Sequence, residues 1–178
     1  HNKGIVITAS KSPLPIHATM AQSAQAIENG AMVLQTRPGA HTVVFAVTGD
    51  MVLQPVFEAA ERLNQAGIGS RIVAVVNPRR LYRPGDVSWS SVSQPDDRFM
   101  DDAVFKTMFH GDVLIGVTGG PSGSLEPVML RSQAMQREVF CWKRGETTAS
   151  AQQLFDFNGM NAQVMYERAL AMLERTAV

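Results

Sequence analysis

Lys11 is the residue whose setting most clearly suggests chemistry. It follows a β-branched stretch and lies in the Ser10-Lys11-Ser12-Pro13 loop, where an ammonium is a natural counter-charge for a phosphorylated substrate. Three further loops carry suitable groups. Thr48-Gly49-Asp50 ends an apolar run, and Asp50 reads as a helix N-cap whose trailing backbone N–H groups either face an anion or simply open a capped helix. Gly119 and Gly120 belong to a glycine-rich loop, residues 118–124, that allows close backbone approach to a ligand or a tightly packed turn. That loop lacks both the P-loop lysine and the dinucleotide fingerprint. Lys143 and Arg144, followed by Thr147 and Thr148, offer cations and hydroxyls for phosphate or a partner subunit, with a solvated strand end as the plainer reading.

A complete catalytic constellation is missing from the chain. His1, His17, His41 and His110 show no metal-ligand spacing, and Cys141 stands alone in an apolar stretch. Asp96, Asp97, Asp101 and Asp102 lack the glycine and closing glutamate of a calcium loop. No serine sits in a G-x-S-x-G elbow. The residues themselves therefore assign no catalytic and no metal-binding role, and the domain is expected to lend contacts to an active site whose chemistry lies elsewhere.

Short apolar runs flanked by turn residues predict strands at residues 4–8, 42–48, 71–77, 113–118 and 138–143. Helical periodicity predicts helices at residues 17–29, 52–66, 101–109, 124–135 and 161–173. Strand and helix alternate, so the expected fold is α/β with a largely parallel sheet and helices on both faces. Residues 83–98, rich in proline and serine, read as a long surface loop.

The 178 residues fit one domain, read as 1–178 and as a piece of a longer enzyme. Lysine plus arginine balance aspartate plus glutamate at 16 each, which argues against nucleic acid or anionic membrane as partner. One cysteine excludes an internal disulfide and fits a cytoplasmic setting. The ten methionines suit core filling, or an interface.

Taken in order, these landmarks resemble the C-terminal domain of phosphoketolases. Ala9-Ser10-Lys11-Ser12-Pro13 is similar to that domain's A-G-K-Q-P, and Thr48-Gly49-Asp50 to its A-G-D. Val75-Val76-Asn77 with Leu81 resembles V-V-N-V-V-D-L, and Phe105 and Phe109 fall as in F-x-x-L-F. Residues 143–148 resemble K-E-E-G-T-T, and Phe155-Asp156-Phe157 resembles F-D-M. Departures mark a divergent member or a relative. Ser10 and Ser12 replace glycine and glutamine, and H-G-Y-P appears as Thr118-Gly119-Gly120-Pro121.

The resemblance implies a transketolase-like thiamine diphosphate enzyme that cleaves a ketose phosphate with inorganic phosphate. Thiamine diphosphate and magnesium would be held by preceding domains of the same enzyme. This chain would be a three-layer α/β/α domain with a five-stranded mixed sheet whose first strand runs antiparallel to the rest. It would be inactive alone, would support a homodimer or higher oligomer, and would contact substrate phosphate through Lys11. Two other readings stand beside it. One is a self-standing α/β module that binds a phosphometabolite or nucleotide. The other is the corresponding domain of a ketoacid dehydrogenase.

Overall fold

The computed structural model describes residues 15–83, 86, 99–143 and 149–176. At its centre lie two strands whose consecutive apolar residues are buried on both sides, β2 (Thr42–Thr48) and β4 (Val113–Thr118). Such unbroken runs suit a parallel sheet covered on both faces. β3 (Gly69–Val75) pairs with β2 in parallel, and β5 (Gln136–Cys141) pairs with β4 in parallel. β1 (Ala31–Arg37) pairs antiparallel with β3, which gives the order β1-β3-β2-β4-β5. The sheet is thus five-stranded and mixed, with its first strand antiparallel.

Alternate residues of the strands feed two cores. Val43, Phe45, Val47, Ile72 and Ile115 face α2 (Leu53–Gln65), α5 (Ala151–Asn158) and α6 (Ala162–Thr176), where Val56, Ala60, Leu63, Phe155, Met165 and Met172 meet them. Val44, Ala46, Val73 and Leu114 face α3 (Asp102–Phe109) and α4 (Glu126–Arg131), packing with Phe105, Phe109, Leu125 and Val128. Each fully buried side chain of this size contributes roughly 1.5–3 kcal/mol. Gly116 lets the second layer come close. A Cβ there would stand 2.7 Å from Met129 Cε and 3.0 Å from Leu125 Cδ1.

Arginines fasten that second layer. The Arg131 side chain is 1% exposed and its guanidinium lies over the Phe105 ring, 4.2 Å from the centroid. It donates to the carbonyls of Leu81 (2.9 Å) and Met100 (3.1 Å) and to Asp102 Oδ1 (2.6 Å). One side chain therefore ties the 3-10 turn at Pro78–Leu81 to the start of α3. Arg71, on β3, donates to the carbonyls of Thr107 and His110 and so caps the last turn of α3.

At the antiparallel edge, α1 (Met20–Asn29) opens with a Thr19–Gln22 capping box. It ends at Gly30, whose φ of 83° is left-handed and where a Cβ would meet Asn77 O and Arg80 Cβ at 2.7 Å. Only glycine fits there. Gln22 Nε2 of α1 reaches the outer carbonyl of Val33 on β1 at 3.2 Å. β1 carries a bulge, since Val33 opposes Val73 while Gln35 opposes Ile72, leaving Leu34 as the extra residue.

Several expectations need correction. The five strands are not the five read from the sequence. The edge position belongs to β1, which was not anticipated, while residues 4–8 lie outside the described residues. The observed β3 and β5 each begin two residues earlier than expected. The single helix expected over 124–135 is a 3-10 turn, Ser122–Leu125, followed by the six-residue α4. Pro127 explains the division, because a proline is tolerated in the first turn of a helix and not in its interior. α5 was not anticipated at all. Most of the expected loop at 83–98 lies outside the described residues.

Candidate functional site

The sheet reverses its winding between β2 and β4, because the chain leaves β2 for β3 on one side and later reaches β4 on the other. Ligands of open α/β sheets sit outside the carboxyl ends of strands at such a switch point. The two loops singled out from sequence meet there. Thr48 and Thr118 are paired across the last rung, and Gly119 N–H donates to Thr48 O at 3.4 Å. Gly49 has a φ of 103°, a backbone conformation that requires glycine. Val52, fully buried, lies beneath both loops and would be 3.8–3.9 Å from a Cβ at Gly119 or Gly49. Lys143 follows β5 at the same edge. Its backbone N–H donates to Asn158 Oδ1 at 2.8 Å and the residue is exposed. Lys11, Thr147 and Thr148 lie outside the described residues.

Several backbone donors at this edge are spent inside the protein. Gly120 N–H donates to the buried Thr118 hydroxyl at 3.0 Å. Asp50 is not the N-cap of α2. Its carboxylate accepts the Met51 N–H at 2.7 Å, and the helix starts at Leu53 behind Val52, which caps nothing through its side chain. Leu53 N–H is bonded to Asp50 O at 3.2 Å, and Pro55 in the first turn has no N–H to give. The switch point is accordingly a closed floor, flanked by the partly exposed apolar side chains of Met51 and Val76. It is a poor cradle for a diphosphate cofactor, because the Gly119 and Gly120 amides already have acceptors within the protein.

Two groups elsewhere have altered acidity. Burial pushes the Tyr82 phenol above its ordinary value, and the hydrogen bond it donates to Glu126 adds to the shift. The hydrogen bond from Arg131 holds the Asp102 carboxyl below its ordinary value, with Arg83 helping. Among the described residues no group of three or more His, Cys, Asp or Glu side chains could hold a metal ion, and no helix is long and apolar enough to cross a membrane. The cations gathered around Asp102 were missed in the sequence because Arg83, Lys106 and Arg131 share no local spacing.

With five strands in this order and helices on both faces, the chain has the fold of a transketolase C-terminal domain. It is similar to a transketolase from Campylobacter jejuni at a TM-score of 0.55 and 17% identity, covering 82% of this chain and 19% of that one. A Pichia stipitis transketolase solved with sedoheptulose 7-phosphate gives 0.57 and 13%, covering 89% and 19%. A split-gene transketolase, described as an inactive tetramer of beta chains, gives 0.54 and 15%, covering 81% and 42%. The chain spans about a fifth of the length of the first two. Neither a family model nor a curated protein matches the sequence.

Proposed function

We propose that this chain is the C-terminal domain of a phosphoketolase-like enzyme dependent on thiamine diphosphate. In the whole protein the reaction converts a ketose phosphate and inorganic phosphate to acetyl phosphate, an aldose phosphate and water. The observation that carries the reading is the mixed sheet with its antiparallel first strand, on which the phosphoketolase-like landmarks fall in order. Thr48-Gly49-Asp50 ends β2, Val75 ends β3, Thr118-Gly119 ends β4 and Lys143 follows β5, all at one edge. A domain that collects its motifs along one rim suits docking against a neighbouring body.

In this reading the preceding domains of the enzyme hold thiamine diphosphate and magnesium, which supply the carbanion chemistry at the ketose carbonyl. The Gly119 and Gly120 amides, bonded within the domain, agree with that division of labour. This domain stiffens the assembly, a homodimer or larger in the cytoplasm, and Lys11 binds a phosphate group of the sugar phosphate or of inorganic phosphate. A phosphate dianion gains a charge-assisted hydrogen bond from such an ammonium.

The test is acetyl phosphate formation by the full-length protein from xylulose 5-phosphate or fructose 6-phosphate, with phosphate, thiamine diphosphate and magnesium. Turnover is expected, and Lys11→Ala should weaken the apparent affinity for one phosphate substrate about tenfold. No acetyl phosphate from either sugar would overturn the phosphoketolase reading. Turnover with unchanged affinities in Lys11→Ala would remove only the lysine from the site.

A further inference from the structure

On the α3–α4 side of the sheet, away from the switch point, a cavity of about 150 Å³ opens between the two helices. Arg83, Asp102, Lys106, His110 and Arg131 supply its charged or titratable lining, and Phe105 is part of its wall. The permanent charges are unbalanced. Among the described lining residues three cations, Arg83, Lys106 and Arg131, face one carboxylate, Asp102, so two positive charges remain. Asp102 is 70% exposed and already shared between Arg131 and Arg83. The other described carboxylates nearby are engaged with backbone. Asp101 caps α3 through the N–H groups of Ala103 and Val104, and Asp86 accepts the Arg83 N–H.

A second observation is independent of this count. Arg131, whose side chain is almost wholly buried, has no hydrogen-bond partner for its Nε. A buried guanidinium donor without an acceptor costs free energy, and its sole paired carboxylate is open to solvent. Among the described residues the neighbourhood is under-neutralised around a buried cation.

We propose that this cleft binds a small oxyanion of the phosphate class, with Lys106 and Arg83 closing on it from the rim and the fixed charge of Arg131 behind them. A phosphate dianion supplies the two negative charges the lining lacks, which a monovalent carboxylate does not. Asp102 competes with the ligand for the same cations. The proposal stands whether or not the chain belongs to a phosphoketolase.

The experiment is titration of the full chain with inorganic phosphate at constant ionic strength, followed by calorimetry and by thermal unfolding, with chloride as control. Saturable binding is expected, with stabilisation that grows with phosphate concentration over Kd. Lys106→Glu, an exchange at an exposed position, should weaken binding about tenfold or more. Asp102→Asn should tighten it about threefold, because the competing charge is gone. Equal stabilisation by chloride, or Lys106→Glu binding like the parent, overturns the proposal. A parallel titration with fructose 6-phosphate separates the two sources. Tighter binding than inorganic phosphate, lost in Lys106→Glu, identifies a phosphate monoester, and weaker binding identifies the free ion.

Discussion

Against one face of the sheet, α2 and α6 lay Val56, Ala60, Leu63, Met165 and Met172 on Phe45, Ile72 and Ile115, an apolar seam between two long helices. Against the other, two short helices and two 3-10 turns are held by arginines that reach carbonyls, Arg131 at Leu81 and Met100 and Arg71 at Thr107 and His110. The difference follows from helix length. α2, with 13 residues, presents several turns to the sheet, whereas α4 has six. A six-residue helix is too short to be stable through its own ladder, so it depends on fixed points outside itself. Polar fastening also leaves charge behind, and that is why the second face, not the first, carries the under-neutralised cleft.

The contrast can be broken most sharply in the apolar seam. Phe45→Ala should cost about 3–5 kcal/mol in denaturant unfolding of the full chain, since the ring is wholly buried. Next comes Arg131→Met, which keeps much of the volume but leaves two carbonyls without their donor. A loss of about 2–3 kcal/mol is expected. Unchanged stability in that variant would mean that the arginine is not what holds the α3–α4 face. Thr118→Val should cost about 1 kcal/mol, because the Gly120 N–H loses its acceptor in the closed floor of the switch point.

The smallest effect is a pH dependence. Because the Asp102 carboxyl is held below its ordinary value of 3.8, first by the Arg131 hydrogen bond, its contribution is present above that value. It is lost as pH falls through the lower, folded-state value. Acid titration of stability should therefore be shallower below pH 3.8 in Asp102→Asn than in the parent. An identical acid limb would show that the pair contributes nothing.

How much of this was legible in the sequence divides along the same line. β2 and β4 were read to the residue, because unbroken apolar runs between turn residues have few other solutions. The helix α2 was placed within a residue at either end by its apolar stripe. β1 escaped because its bulge breaks the two-residue alternation and because Gln35, Thr36 and Arg37 make its second half polar. α5 escaped because eight residues give barely two turns of periodicity, although Ser150 and Gln153 form a capping box that signals its start. At the candidate site the sequence singled out the Thr48 and Gly119 loops, but that they meet follows only from the strand order of the sheet. What the loops do with their amides was not readable either, since the acceptors are set by geometry across the sheet. The clustering of Arg83, Lys106 and Arg131 left no trace at all in local spacing.

The bulge at Leu34 has a consequence for how the domain behaves in company. Among the described residues β1 is an edge strand, and a flat edge offers its free N–H and C=O groups to any strand that drifts past. The extra residue twists that edge and throws its hydrogen-bonding rhythm out of step, while Gln22 occupies the outward carbonyl of Val33. A neighbouring molecule therefore finds no regular template on which to extend the sheet. Deleting Leu34 would restore one, and the resulting protein should precipitate at concentrations where the parent stays dispersed.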